Sequence, residues 1–151
     1  MLEGQRFIVE LDAARFRGEF LQCCAEIEDH LCVALKRLIE LDEIKKAPYL
    51  FGEKFERVKK SSGLLGLWKH RDHAQAVIEA LQPLVDMRGT LGHALIAPAT
   101  IDGKDAICWQ TPGNRDWADR RIMTRDDMLA TLHDLQRLTK KFCKQPLADN
   151  G

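Results

Sequence analysis

The sequence lacks any long hydrophobic run and carries no excess of charge of either sign. No apolar stretch approaches the roughly 20 residues that a helix needs to cross a bilayer, which excludes a membrane-spanning helix. Lysine and arginine together number 23, as do aspartate and glutamate, so the formal net charge is zero. A neutral chain has no overall field that concentrates a polyanion, and this weighs against a general nucleic-acid-coating protein. RNA contacts would have to come from a local basic patch.

Cysteine is also scarce, and the count of five is odd. No pair has C-x-x-C spacing, and a chain of 151 residues can build a core without disulfides. The pattern therefore predicts free, mostly buried thiols in a reducing compartment. The first residues lack the apolar stretch of a signal peptide, which adds to the expectation of a cytoplasmic protein. The cysteines are Cys23, Cys24, Cys32, Cys108 and Cys143.

What is abundant is apolar periodicity, in a chain with 45% hydrophobic and 30% charged residues. This balance and the length predict a single domain over residues 1–151. Steps of three and four residues predict helices at about 13–42, 51–60 and 72–89, and a last one from the N-cap Thr124 to about 142. The inward stripes are predicted to include Phe16, Phe20, Ile27, Leu31, Leu35, Leu38 and Ile39 in the first helix, and Met128, Leu129, Leu132, Leu135 and Leu138 in the last.

Between the third and last helices the pattern changes to short strands. Segment 94–101 is apolar and partly β-branched, and Pro98 makes it an edge or bulged strand. Asp102-Gly103 predicts a tight hairpin turn into a return strand at 106–110, and residues 121–123 predict a short third strand. Pro83 predicts a kink in the third helix. The fold class is therefore mainly α, a bundle of about four helices with a small β-hairpin or meander inserted before the last helix.

The most informative stretch is Leu84-Val85-Asp86-Met87-Arg88-Gly89-Thr90-Leu91-Gly92-His93, an apolar helix that ends in an arginine and, after four residues, a histidine. The chain here resembles the HEPN superfamily, whose signature is arginine, four to six residues, then histidine. The long first helix, the short second one, the third before the arginine, the β ribbon and the closing helix follow that family's plan. The chain differs from the usual pattern at Gly89, often asparagine in the family, and at Ala94, often glycine.

These residue types suit metal-independent cleavage of RNA, in which the 2′-hydroxyl attacks the neighbouring phosphate. His93 would be the general acid/base, Arg88 would hold the phosphate with its planar fork, and Thr90 would be an auxiliary hydrogen-bond donor. No metal or other cofactor is expected. On a regular helix Arg88 and His93 lie about 140° apart, so they need not share a face unless the glycines open the turn. The resemblance implies a homodimer with a composite cleft at its two-fold axis. It also implies a toxin–antitoxin or defence role, with RNA and an antitoxin or other protein as partners and no membrane.

A second candidate for RNA contact is the basic segment between residues 54 and 71. Trp68 lies within it and either stacks on a base or is buried. The six basic residues predicted to bind RNA are Lys54, Arg57, Lys59, Lys60, Lys69 and Arg71.

Alternatives for the chemistry and for the function stay open. His70 and His73 share a helix face, His133-Asp134 is a histidine–aspartate pair, and Cys23-Cys24 lies near His30, but none has a complete ligand set for a metal. Two other functions compete with the ribonuclease. One is a catalytically inactive HEPN-like module that binds a partner or a nucleotide. The other is a helical stress or regulatory module without nucleic acid.

Overall fold

The protein is mainly helical, with four helices and a three-stranded antiparallel sheet between the third and fourth. The structure, a computed structural model, describes residues 3–113 and 121–149, and residues 3–9 by their backbone alone. No helix in these ranges is long and apolar enough to cross a membrane. The elements are α1 (Glu3–Glu40), α2 (Phe51–Ser61), α3 (Arg71–His93), β1 (Leu95–Ile101), β2 (Lys104–Gln110), β3 (Arg121–Thr124) and α4 (Arg125–Cys143).

The chain divides into two compact units, and α1, α3 and α4 each contribute residues to both. Unit 1 comprises Met1–Gln22 and Asp86–Leu135, and unit 2 comprises Cys23–Val85 and Gln136–Gly151. Unit 1 therefore holds the whole sheet together with one end of each long helix. The buried core of unit 1 includes Phe16, Phe20, Leu91, Ile107, Trp109, Met123 and Leu135. The buried core of unit 2 includes Ile27, Leu31, Leu35, Phe55, Leu67, Trp68, Ile78, Leu81 and Phe142.

Helix α1 is longer at its start than predicted and ends at Glu40, close to the predicted end near residue 42. Its last turn closes with hydrogen bonds from Asp42 N to Ile39 O (3.1 Å) and from Glu43 N to Leu38 O (2.9 Å). Asp42 has a φ of 59°, so these bonds form a Schellman motif with an aspartate in the left-handed position. The left-handed turn at Asp42 therefore ends the helix after Glu40, and Pro48 lies in the loop beyond it.

The sheet has the order β1-β2-β3, with β2 in the middle. Asp102 (φ 49°) and Gly103 (φ 75°) form the two-residue turn between β1 and β2, which confirms the predicted hairpin. Pro98 lies on β1, which is an edge strand as predicted, and it pairs in register with Ile107 on β2. Side chains alternate across the sheet, so Ile107, Trp109 and Met123 share its buried face.

Two apolar residues predicted to face the core do not do so. Ile39 is 40% exposed and Leu129 is 56% exposed, because each lies at the margin of its helix stripe beside the buried Leu38 and Met128. Leu65, in the connection between α2 and α3, is also largely exposed, at 83%. Its neighbour Gly66 has a φ of 94°, and only Leu67 and Trp68 after that turn are buried.

Candidate functional site

Helix α3 carries the three predicted catalytic residues in its last two turns, within unit 1. The helix is unbroken to His93, so Gly89 and Gly92 do not open it. At about 100° per residue, Thr90 and His93 lie roughly 60° apart on one face, whereas Arg88 lies about 140° from His93 around the axis. One chain therefore brings the hydroxyl and imidazole positions together and places the guanidinium position on another side of the helix.

The burial pattern of this helix end leaves the histidine accessible. His93 is exposed, while Arg88 and Thr90 are half-buried. Met87 and Leu91 lie in the same two turns of the helix. Both are buried in the core of unit 1 and hold the helix in place. A Cβ built on Gly89 meets no heavy atom within 4 Å. Packing therefore does not require a glycine at this position.

A residue that the sequence did not single out contacts this helix end. Arg17 on α1 donates a hydrogen bond from Nη2 to the carbonyl oxygen of Ala94 (2.6 Å), the residue that follows His93. The guanidinium carbon of Arg17 lies 5.1 Å from the ring centroid of Trp109 on β2. A cation over an indole face is worth about 0.5–2 kcal/mol, depending on desolvation. Nothing in the local sequence indicates this contact, because residues 17 and 94 are 77 positions apart.

The six basic residues predicted to contact RNA lie in unit 2, and several already have intramolecular partners. Lys54 Nζ lies 2.8 Å from Glu28 Oε2, and this hydrogen bond raises the pKa of Lys54. Lys59 donates to Gln82 Oε1 (2.8 Å), and Lys60 pairs with Glu56 at 3.8 Å. Arg71 Nη1 donates to the Gly63 carbonyl (3.1 Å), while the side chains of Arg57 and Lys69 are exposed. The acidic partners reduce the net positive charge of this segment.

Trp68 is 3% exposed, which confirms the alternative in which it is buried and rules out base stacking in this conformation. Its indole Nε1 donates to Ser62 Oγ (3.1 Å), and its ring stacks on His30 at 5.7 Å between centroids. His30 Nε2 lies 2.9 Å from the Gln145 carbonyl oxygen, and Phe142 contacts both rings edge-on. Burial lowers the pKa of His30, so this histidine belongs to a packed aromatic cluster.

The described ranges 3–113 and 121–149 contain no group of three or more side chains able to hold a metal ion together. None of the five cysteines forms a disulfide: Cys23, Cys24 and Cys108 are buried, whereas Cys32 and Cys143 are exposed. The prediction that the thiols are not joined in disulfides is confirmed. Although Cys143 is exposed as a residue, partial desolvation of its sulfur raises the pKa of the thiol. His70, His73 and His133 are all exposed on helices or their ends.

A cavity of about 170 Å³ lies in unit 1 between the start of α4 and α1. Its lining includes the apolar side chains of Phe16, Met128 and Leu132, with an ion pair between Arg125 Nε and Asp12 Oδ2 (3.3 Å). None of the three predicted catalytic residues lines it. The Arg88–His93 pair is therefore not the wall of this cavity.

Comparison with protein-family models, curated proteins and solved structures finds no match to this chain.

Proposed function

We propose that the chain is a HEPN-like domain that acts as a metal-independent endoribonuclease in a toxin–antitoxin or defence system. The observation that supports this most is the end of α3, where an exposed histidine lies three residues after a threonine and five after an arginine, directly before a β hairpin. The bundle arrangement, the cytoplasmic location and an antitoxin or other protein partner belong to the same proposal.

In the proposed reaction the 2′-oxygen of RNA forms a bond to the adjacent phosphorus while the bond from phosphorus to the 5′-oxygen breaks. An imidazole takes the proton of the 2′-hydroxyl and an imidazolium gives one to the leaving 5′-oxygen. The products are a 2′,3′-cyclic phosphate and a 5′-hydroxyl end. His93 performs the proton transfers, Arg88 stabilises charge on the phosphate oxygens, and Thr90 donates a hydrogen bond from the face that it shares with His93.

This proposal includes a homodimer, because the positions of Arg88 and His93 diverge by about 140° on a continuous helix. In a composite cleft, the arginine of one copy can meet the phosphate that the histidine of the other copy protonates. Two histidines also divide the acid and base roles between them.

The test is incubation of purified protein with total RNA in EDTA. We expect cleavage in EDTA, fragments with 5′-hydroxyl ends that polynucleotide kinase labels directly, and losses of at least about a hundredfold in Arg88→Ala and His93→Ala. His133→Ala and Arg15→Ala are matched controls, since both residues are exposed and lie outside the predicted site. Absence of cleavage by the wild type, or equal cleavage by all four variants, would contradict the ribonuclease.

A catalytically inactive HEPN-like module that binds a partner or nucleotide is the second candidate. Two observations favour it: Gly89 and Ala94 replace the residues that commonly flank the family's arginine and histidine, and unit 2's basic segment is partly neutralised by Glu28 and Glu56. Gly89→Asn separates the candidates, because the open space around Gly89 accepts a side chain. Activity that appears only in Gly89→Asn would identify an inactive descendant of the same site.

A further inference from the structure

The junction between α3 and β1 is anchored by a side chain from outside both elements. His93 is the last residue of α3, Ala94 follows it, and β1 starts at Leu95. Arg17 donates a side-chain hydrogen bond to this junction, from Nη2 to the Ala94 carbonyl oxygen at 2.6 Å. The last carbonyl groups of a helix have no partner within the helix and carry its negative pole, so a guanidinium there is favourably placed.

The Arg17 guanidinium is itself held in position. Trp109 is fully buried and lies under the guanidinium at 5.1 Å, and Phe16 packs against Trp109 with ring centroids 5.9 Å apart. Arg17 Nε is buried and has no hydrogen-bond partner among the described residues. Because Nε makes no hydrogen bond, the orientation of the guanidinium depends on its two other contacts. These are the indole face of Trp109 and the Ala94 carbonyl.

The anchored carbonyl is one residue away from the proposed general acid/base. Consecutive Cα atoms are about 3.8 Å apart, so a shift of the Ala94 peptide moves the His93 backbone directly. His93 is exposed, whereas the next residue, Ala94, is buried. The position of the exposed imidazole therefore depends on how the buried Ala94 peptide is held. Helix ends without such anchors fray.

From these contacts we propose that Arg17 is a positioning residue that fixes the His93 side chain for proton transfer. This inference rests on the proposed function, and its role differs from that of Arg88. Arg88 would touch the phosphate and so contribute to substrate binding, whereas Arg17 acts through the Ala94 peptide. Loss of Arg17 therefore lowers kcat and leaves KM unchanged, since misplacement of a catalytic group by about 1 Å costs up to a hundredfold in rate.

The experiment compares Arg17→Ala and Arg17→Lys with Arg15→Ala in the full chain. Arg15 is the matched control because it lies on the same helix, is exposed and pairs with Glu19 at 3.3 Å. Steady-state cleavage of a short RNA is expected to show kcat reduced about ten- to a hundredfold in Arg17→Ala, with KM within about twofold. Added methylguanidinium should restore part of the rate in Arg17→Ala only. Arg17→Lys keeps the charge and the fold, and should show a smaller loss of kcat.

A second measurement keeps this inference separate from the ribonuclease proposal. Amide hydrogen exchange at residues 91–95 and the imidazole NMR signals of His93 are recorded for the same variants without RNA. Faster exchange at this junction and altered His93 signals in both Arg17 variants, with unfolding midpoints near the wild type, support the positioning role even if no RNA is cleaved. Exchange and His93 signals equal to those of Arg15→Ala would overturn it, as would a loss expressed only in KM.

Discussion

His30 is a histidine whose surroundings favour its neutral form over its protonated form. Its ring contacts those of Trp68 and Phe142, which also contact each other, and its Nε2 lies 2.9 Å from the Gln145 carbonyl oxygen. Burial lowers the pKa of His30 below its ordinary value of about 6.5, although the Gln145 carbonyl and Asp29 act in the opposite direction. A neutral imidazole can donate one N–H to the carbonyl and present the rest of its ring to the aromatic neighbours.

The lowered pKa predicts an acid-sensitive stability. Because the unfolded chain binds the proton more tightly than the folded chain, the stabilising contribution of His30 is fully present above about pH 6.5 and is lost as the pH falls through the folded pKa. We expect the urea midpoint to fall between pH 7 and pH 5, and to fall less in His30→Gln, which keeps a donor but does not titrate. His133→Gln is the control on an exposed helix position; a fall equal to the wild type in both variants would contradict the assignment.

Single residues also show where sequence reasoning stops. The periodicity of α1 correctly placed Phe16 and Phe20 in the core, because burial follows the helical repeat. The same repeat says nothing about Arg17 between them, since its partners Ala94 and Trp109 come from distant parts of the chain. Whether Arg88 and His93 act together stays a prediction.

At the scale of elements, local signals were the most informative. Thr124 and Asp127 form the predicted reciprocal cap: Thr124 N donates to Asp127 Oδ2 at 2.9 Å, and Asp127 N donates to Thr124 Oγ1 at 3.1 Å. The hydrogen bond from the Thr124 backbone lowers the pKa of Asp127. The start of α4 and the Asp102-Gly103 turn were predictable because each depends on residues within four positions.

The cap predicts a specific loss of stability. Thr124→Ala removes the oxygen that accepts from the Asp127 amide, and should lower the free energy of unfolding by about 1 kcal/mol. Thr124→Ser keeps the hydroxyl, and serine caps helices at least as well as threonine, so no loss of the cap's contribution is expected. Urea denaturation at neutral pH measures both. Equal losses in the two variants would show that the methyl group of Thr124, and not its hydroxyl, stabilises the helix start.

Other element boundaries were set by contacts that a local pattern does not contain. Helix α3 extends to His93, beyond the predicted end at Gly89, because Met87 and Leu91 are buried on both sides of that glycine. The tertiary burial of these two side chains outweighs the roughly 1 kcal/mol that a glycine costs in a helix. Helix α1 likewise ends at the left-handed turn of Asp42, and the sequence pattern did not predict this backbone conformation.

At the scale of the whole molecule, the order of elements was predictable and the division into two units was not. Contacts such as Arg37 Nη1 to the carbonyls of Gly66 (3.0 Å) and Ala148 (2.7 Å) join distant segments within unit 2. In the same unit, Lys69 N donates to Pro146 O and Ala148 N to Leu67 O, so the last described residues pair with the connection between α2 and α3. Long-range pairs of this kind have no periodic signature.

The proposed composite site predicts the state of association. Because one α3 helix presents Arg88 and His93 on different sides, the ribonuclease requires a second copy to complete the pocket. Light scattering at micromolar concentration should give twice the mass of the chain, with Arg88→Ala and His93→Ala unchanged in mass though inactive. A monomer at this concentration would contradict the shared cleft and favour the partner-binding module.

Pro98 affects how the outer edge of β1 can pair with a strand from another molecule. An edge strand normally offers a row of amide donors onto which a further β-chain can be added, and such addition begins many fibrillar aggregates. Proline has no amide hydrogen, so it fits an unbroken β1–β2 ladder only where its nitrogen faces away from β2. The middle of the outer edge of β1 therefore has no amide hydrogen at Pro98 to donate to an incoming strand. Extension of the sheet by a strand from another chain is interrupted at this position.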